Sequence, residues 1–200
     1  MFDELTIEDA RGQVGIGTLI IFIALVLVAA VAAGVLVQTS GLLQAQAEST
    51  GEDAQSEVGN QISVVGATGI VDGDNTHVEQ VDLVVKKSAG SDPIDLSDAT
   101  IEYTSGTASA TLTHGGTGGS GASATKFATD AITGTSDGET VMSNNGDRVT
   151  ITISTTDVDT GDGLAAGEEA TLRIVDQSGA TTIYGVNVPD SLGDRSYVTV

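Results

Sequence analysis

Three aspartates close together in the chain offer a set of oxygen ligands for a metal ion. Asp157, Asp159 and Asp162 lie in the segment DVDTGDG at residues 157–163. Hard cations such as Ca²⁺ prefer clusters of carboxylate and carbonyl oxygens, so this segment is a candidate calcium site. It lacks the full spacing of an EF-hand loop and the Glu that closes one. In a chain with 28 acidic residues an acidic loop is also expected by chance. The three aspartates are therefore candidate Ca²⁺ ligands, but we predict no required cofactor.

No other residues form a pattern typical of an active site. His77 and His114 have no neighbouring Ser or Asp in a setting that resembles a catalytic triad, so we interpret both as solvated surface side chains. No P-loop or dinucleotide-binding glycine pattern follows a predicted strand. The chain contains no cysteine, which excludes disulfides, thiolate metal sites and cysteine nucleophiles. We predict that the protein is not an enzyme.

Asparagine-linked glycosylation requires the pattern Asn-x-Ser/Thr. The chain has five asparagines, and none has Ser or Thr two positions later: Asn60, Asn75, Asn144, Asn145 and Asn187. We therefore expect no N-linked glycan, whereas the Ser- and Thr-rich segments leave O-linked sugars open.

The charge of the chain is strongly one-sided. Seven basic residues stand against 28 acidic ones, which gives a formal net charge of -21. Phosphate backbones would be repelled by such a surface, so nucleic-acid partners are not expected. At roughly 1 M salt the Debye length falls to about 3 Å, and crowded carboxylates then repel one another little. The composition therefore favours a halophilic source.

The element that must dominate the architecture is an apolar stretch near the N-terminus. Residues 12–47 contain no ionisable side chain, and residues 14–37 are apolar apart from Thr18 and the glycines. As a helix at ~1.5 Å per residue, residues 14–37 would be about 36 Å long, enough to cross a hydrocarbon core of ~30 Å. Helical spacing of apolar residues continues beyond this stretch, so we predict one helix from about residue 14 to about residue 57.

This predicted helix is apolar on every side over 24 residues, so it must be buried all round. Lipid can bury it, and so can many copies of itself. Ala29, Ala30, Ala32, Ala33 and Gly34 would let neighbouring helices approach closely. The chain begins with the acidic segment MFDELTIEDARG, whereas an ordinary secretory signal begins with basic residues and has a shorter apolar region. The N-terminal segment therefore fits an ordinary secretory signal poorly.

The segment RGQVGIGTLIIFIALVLVAAVAAGVLVQTSGLL at residues 11–43 resembles the N-terminus of archaellins, the subunits of the archaeal flagellum filament. Weaker similarity extends through residues 62–71, 81–103 and 187–192. The resemblance implies a leader peptide at residues 1–12, cleaved between Gly12 and Gln13 after the basic Arg11. The leader has one basic residue among four acidic ones, a sparser pattern than in many relatives.

The resemblance also implies the partners and the location of the protein. A prepilin-peptidase-like membrane protease would remove the leader, and a membrane assembly and motor platform would move the helix out of the cytoplasmic membrane into an extracellular filament. The subunit would pack with itself or with paralogous archaellins through the helix at residues 13–60. The residues expected in the filament core are Val14, Ile16, Leu19, Ile20, Ile23, Val26, Leu27, Val31 and Val35.

Two other interpretations share the same helix. An archaeal adhesion pilin would use the same protease and a similar N-terminal helix, but the sequence GIGTLIIFIA favours an archaellin. A membrane-anchored surface protein would retain its leader and hold an adhesive β-domain outside the cell. A secreted soluble binding protein would require removal of the apolar segment.

Residues 61–200 have the composition of an outer β-domain. Short runs rich in Val, Ile and Thr alternate with Gly, Asp, Ser and Asn clusters about every ten residues. This pattern predicts an antiparallel, immunoglobulin-like β-sandwich, so the fold class is α+β. The segment HGGTGGSGAS at residues 114–123 is expected to be a mobile exposed loop. The predicted strands are 62–71, 78–87, 100–103, 109–113, 140–142, 148–154, 169–175 and 181–188.

Overall fold

A computed structural model describes residues 3–133, 140–159 and 161–200, with side chains from Gly12 onward. The side chain of Arg11 is not among the described parts of the chain. Thr160, which belongs to the predicted calcium segment, also lies outside the described residues. The chain divides into two compact units, Met1–Glu52 and Asp53–Val200, and each is described here by itself.

The first unit is formed by a single long helix, α1, which runs from Asp3 to Gly59 and continues into the second unit. Its sequence contains no proline that would interrupt the backbone hydrogen bonds. Both threonines in and beside the apolar stretch form hydrogen bonds within the helix, because Thr18 Oγ1 donates to Gly15 O at 2.9 Å and Thr39 Oγ1 donates to Val35 O at 2.8 Å. The predicted helix is confirmed, and the structure extends it at both ends.

The end of α1 is fixed by a short loop of the second unit. Ser91 Oγ donates to Gly59 O at 3.1 Å, and Asn60 Oδ1 accepts from Asp92 N at 2.8 Å. The buried Lys87 donates from Nζ to Ser91 O at 2.7 Å, which holds the loop in place. The last carbonyl of the helix therefore has a side-chain partner, as helix ends require.

Beyond the end of α1, the described residues of the second unit form twelve strands, one helical turn and a short 3-10 turn at Gly119–Gly121. The strands are β1 (Ile62–Val71), β2 (His77–Lys87), β3 (Ile94–Asp95), β4 (Thr100–Ser105), β5 (Ser109–Thr117), β6 (Lys126–Thr133), β7 (Val141–Met142), β8 (Arg148–Ser154), β9 (Leu164–Ala165), β10 (Glu169–Val175), β11 (Thr181–Asn187) and β12 (Tyr197–Thr199). The helical turn α2 spans Thr155–Val158.

Ten of these strands form one sheet. Its order is β11-β10-β4-β5-β6-β8-β2-β1-β12, with β9 pairing beside β2, while β3 and β7 form a separate pair. Neighbouring strands are antiparallel except β5 and β6, which are parallel. The fold of a long apolar helix followed by a mostly antiparallel sheet is confirmed, whereas an immunoglobulin-like topology stays a prediction.

The sheet curls until its two ends meet. Thr182 of β11 donates from Oγ1 to Ile62 O of β1 at 2.8 Å, and Tyr184 OH donates to Val200 O at 3.2 Å. Alternate residues of the long strands face inward, as the two-residue period of a strand requires. They form one apolar core whose largest fully buried members include Tyr103, Phe127 and Leu83.

Most predicted strands agree with the structure, and one predicted loop does not. The predictions at 62–71, 148–154 and 169–175 coincide with β1, β8 and β10. The predicted mobile loop at 114–123 is wrong in its first part, because β5 continues to Thr117 and pairs with β6. The 3-10 turn follows directly at Gly119–Gly121.

Candidate functional site

The candidate functional site is the apolar surface of α1. Large side chains of residues 14–37 are exposed on every side of this helix in the isolated chain. An 18-residue window within Gly12–Gly59 reaches a mean hydropathy of 3.2, and this helix is long and apolar enough to cross a membrane. Monomeric soluble proteins rarely expose apolar surface on this scale, so the surface requires a partner, either lipid or protein.

Every residue predicted for the filament core belongs to this surface. Their exposed fractions range from 48% for Ile23 to 69% for Val31. The nine residues are Val14, Ile16, Leu19, Ile20, Ile23, Val26, Leu27, Val31 and Val35. A helix that is apolar on all sides can be surrounded by lipid or by other helices, whereas an amphipathic helix packs on one side only.

The three aspartates at 157–163 differ in burial, and their role as Ca²⁺ ligands stays a prediction. Asp157 lies exposed in the first turn of α2, Asp162 is exposed, and Asp159 is buried. Within residues 3–133, 140–159 and 161–200 no group of three or more His, Asp or Glu side chains is placed to hold a metal ion.

Asp159 instead accepts hydrogen bonds from three hydroxyl groups. Ser105 Oγ donates to Asp159 Oδ1 at 2.6 Å, Thr107 Oγ1 donates to the same oxygen at 2.8 Å, and Tyr103 OH donates to Asp159 Oδ2. Burial raises the pKa of Tyr103, and its hydrogen bond to the Asp159 carboxylate raises this pKa further. The carboxylate therefore ties α2 to the β4–β5 hairpin.

The two histidines are less exposed than predicted. His77 is half-buried, and its Nδ1 lies 2.8 Å from Thr76 Oγ1. His114 is also half-buried, with Nε2 at 2.9 Å from Thr129 Oγ1 and its ring edge-on to Phe127 at 5.5 Å between centroids. Both histidines are therefore surface side chains that are partly, rather than fully, exposed.

Comparison with known proteins identifies the family. The profile of the family described as archaeal-type flagellin matches residues 12–186. The chain belongs to the archaeal-type flagellin family.

Relatives of similar length support this membership. Flagellin B2 of Halobacterium salinarum is 46% identical over 202 residues, covering 100% of both chains. Flagellin A2 of Haloferax volcanii is 38% identical, covering 98% of this chain and 97% of the relative. Among solved structures, the archaeal flagellum of Methanospirillum hungatei strain JF1 has a TM-score of 0.69 at 22% identity, over 93% of this chain and 99% of that one. It shares the fold of this flagellin.

The family profile begins to match at Gly12, beside the predicted cleavage point. Gly12 and Gln13 are both exposed within α1. Cleavage between them stays a prediction.

The hydroxyl cluster around Asp159 is the part of this flagellin that sequence analysis missed. Tyr103, Ser105 and Thr107 precede Asp159 by 52 to 56 residues, and no spacing rule connects them. The one local signal was the apolar Val158 immediately before Asp159, and it does not identify the hydroxyl partners.

Proposed function

We propose that this flagellin is the structural subunit of the archaeal flagellum filament used for swimming. The observation that carries the proposal is the apolar helix α1, exposed on all sides in the isolated chain. Membership of the archaeal-type flagellin family supports the same role. Residues 62–200 contain an apolar core of their own.

Packing among copies of the helix supplies most of the binding free energy in this proposal. Burying a large aliphatic side chain contributes roughly 1.5–3 kcal/mol relative to water. Before assembly, however, the helix lies in lipid, which is equally apolar. Transfer from lipid to the filament is therefore near neutral in hydrophobic free energy, and close packing decides whether the helices associate.

The precursor is proposed to reside in the cytoplasmic membrane. A prepilin-peptidase-like protease removes residues 1–12 there and leaves Gln13 as the new N-terminus. An assembly and motor platform then moves the helix into the filament. The length and hydropathy of α1 support the membrane stage.

Salt is proposed to screen repulsion between neighbouring subunits. Removal of residues 1–12 takes away one basic and four acidic residues, which leaves 6 basic and 24 acidic residues, a formal charge of -18. Within the described residues the only ion pair joins Arg173 Nη1 and Glu102 Oε2, which are 3.6 Å apart on side chains that are about half exposed. Attraction between side chains of one subunit therefore offsets little of its negative charge. The relatives from Halobacterium and Haloferax are in keeping with a halophilic host.

A single charge in the helix tests the role of α1. We expect Val26→Asp to abolish filaments on the surface of a haloarchaeal host that lacks its own flagellins, because no partner is present for a carboxylate inside an apolar bundle. Gln44→Asp adds the same charge to the same helix beyond the apolar residues 14–37, where a polar side chain is already present, and should leave filaments in place. Normal filaments from the Val26→Asp chain, seen by electron microscopy, would refute the buried-helix proposal.

A further inference from the structure

The β-domain contains a cleft where the two ends of its curled sheet meet. The cleft has a volume of about 300 Å³ and is lined by residues 61–64, Ser88 and residues 182–184. We call it the β1/β11 seam. Two side-chain hydrogen bonds, from Thr182 to Ile62 O and from Tyr184 to Val200 O, cross between the two ends.

Both strands beside the seam have open backbone edges within the described part of the chain. β11 pairs with β10 along one side only, and β12 covers β1 only at Thr68–Ile70. Open edges are normally protected by charged side chains, because unpaired N–H and C=O groups invite another chain to pair. β1 and β11 themselves contain no charged side chain that would protect their open edges.

The strands at the seam carry no charge of their own, although the neighbouring strands place Arg173, paired with Glu102, opposite Ile183 and Lys86 opposite Ser63. β1, β11 and β12 together contain no Asp, Glu, Lys, Arg or His, although the chain carries 28 acidic residues. They also expose large apolar side chains: Ile183 of β11 is 68% exposed, Tyr197 of β12 is 65% exposed, and Val65 is 52% exposed at an irregularity of β1. In the described part of residues 60–200, the only other large apolar side chain with a similar exposed fraction is Ile132 of β6.

We propose that the β1/β11 seam is a contact surface for the β-domain of a second copy of this chain. Two copies with a charge of about -18 each repel over most of their surface, and strands without carboxylates, next to the paired Arg173 and Glu102, are where they can approach without burying unpaired carboxylates. The proposal rests on the filament function, which places many copies side by side.

The connectivity of the chain favours the same occupant. Only Asn60 and Gln61 separate the end of α1 from the start of β1, so the seam begins where the chain enters the β-domain. When the helices of neighbouring subunits pack together, they bring these entry points close to one another. A helical filament uses different surfaces on the two partners, so the seam would meet another surface of the neighbour rather than a second seam.

Single cysteines test the proposal directly, because the chain has none of its own. Ile183→Cys places a thiol at the seam, and Ile132→Cys is a matched control at an exposed isoleucine of β6. Filaments sheared from cells in molar salt are labelled with a water-soluble maleimide, and the same filaments are labelled after dissociation in detergent. We expect the labelling rate at position 183 to be about tenfold or more lower in intact filaments, and the rate at position 132 to change by less than about twofold.

A charge variant gives a second measurement. Ile183→Asp should lower filament yield by about tenfold or more, whereas Ile132→Asp should leave it within about twofold. Equal labelling of position 183 in filaments and free subunits, or normal filaments from Ile183→Asp, would overturn the seam contact and leave the filament function standing. A wild-type chain that forms no filaments would refute the proposed function, and the seam contact with it.

Discussion

The carboxylate of Asp159 is predicted to be a structural centre of the β-domain, and Asp159→Ala tests this. The substitution removes the acceptor of three hydroxyl groups at once. Tyr103 is only 1% exposed, so its hydroxyl cannot turn to water. A buried donor left without a partner costs about 1–3 kcal/mol.

The total loss follows from the surroundings of the three donors. Ser105 is half-buried and Thr107 exposed, so water replaces much of what they lose, and we assign them about 0.5–1 kcal/mol each. With about 2 kcal/mol for Tyr103, the free energy of unfolding should fall by about 3–4 kcal/mol. At about 2 kcal/mol per molar urea, the midpoint of unfolding should fall by about 1.5–2 M.

Tyrosine fluorescence of the full chain in detergent and molar salt provides the assay. The chain has no Trp, and its three tyrosines, Tyr103, Tyr184 and Tyr197, all lie in the β-domain. Asp157→Ala is the matched control, because Asp157 is exposed and two residues away, and should change stability by less than about 0.5 kcal/mol. Equal urea midpoints for the two variants would refute the structural role of Asp159. A midpoint raised by millimolar Ca²⁺ in the wild type, and not in Asp159→Ala, would favour the calcium site.

Three further results are expected. The pKa of Tyr103 is raised in the folded state, so the stability that this hydroxyl contributes is fully present below pH 10 and is lost as pH rises further. In urea titrations the free energy of unfolding should fall above about pH 10, and this fall should be smaller in Tyr103→Phe. An identical fall in that variant would contradict the prediction. Filaments moved from molar salt to about 0.1 M salt should weaken or dissolve, because the Debye length grows from about 3 Å to about 10 Å; filaments unchanged by light scattering in dilute buffer would argue against charge repulsion between subunits. Mass spectrometry should find none of the five asparagines glycosylated, and a modified peptide at any of them would overturn this expectation.

The helix could be predicted because its signal is local. A stretch of 24 residues with no charge forms a helix that is apolar on every side, and no distant residue is needed to identify it. The long strands could also be predicted from local signals, since β8 and β10 alternate apolar and polar residues and β1 is rich in Val and Ile.

Elements that depend on distant partners could not be predicted. The segment HGGT at the end of β5 is too polar to suggest a strand, yet Phe127 and Thr129 of β6 hold His114 there through ring packing and a hydrogen bond. The two-residue strands β3, β7 and β9 exist only because each finds a partner across the fold. Asp159 looked like a metal ligand because its three hydroxyl donors are more than 50 residues away.

The mature N-terminus of protein sheared from the cell surface tests the central claim most directly. Mass spectrometry should find a chain that begins at Gln13 and retains residues 14–37, because the filament needs the apolar helix without its acidic leader. An intact Met1 would instead indicate a membrane-anchored surface protein, and a chain that begins beyond Val37 would indicate a secreted soluble one. Either result would contradict the filament-subunit account.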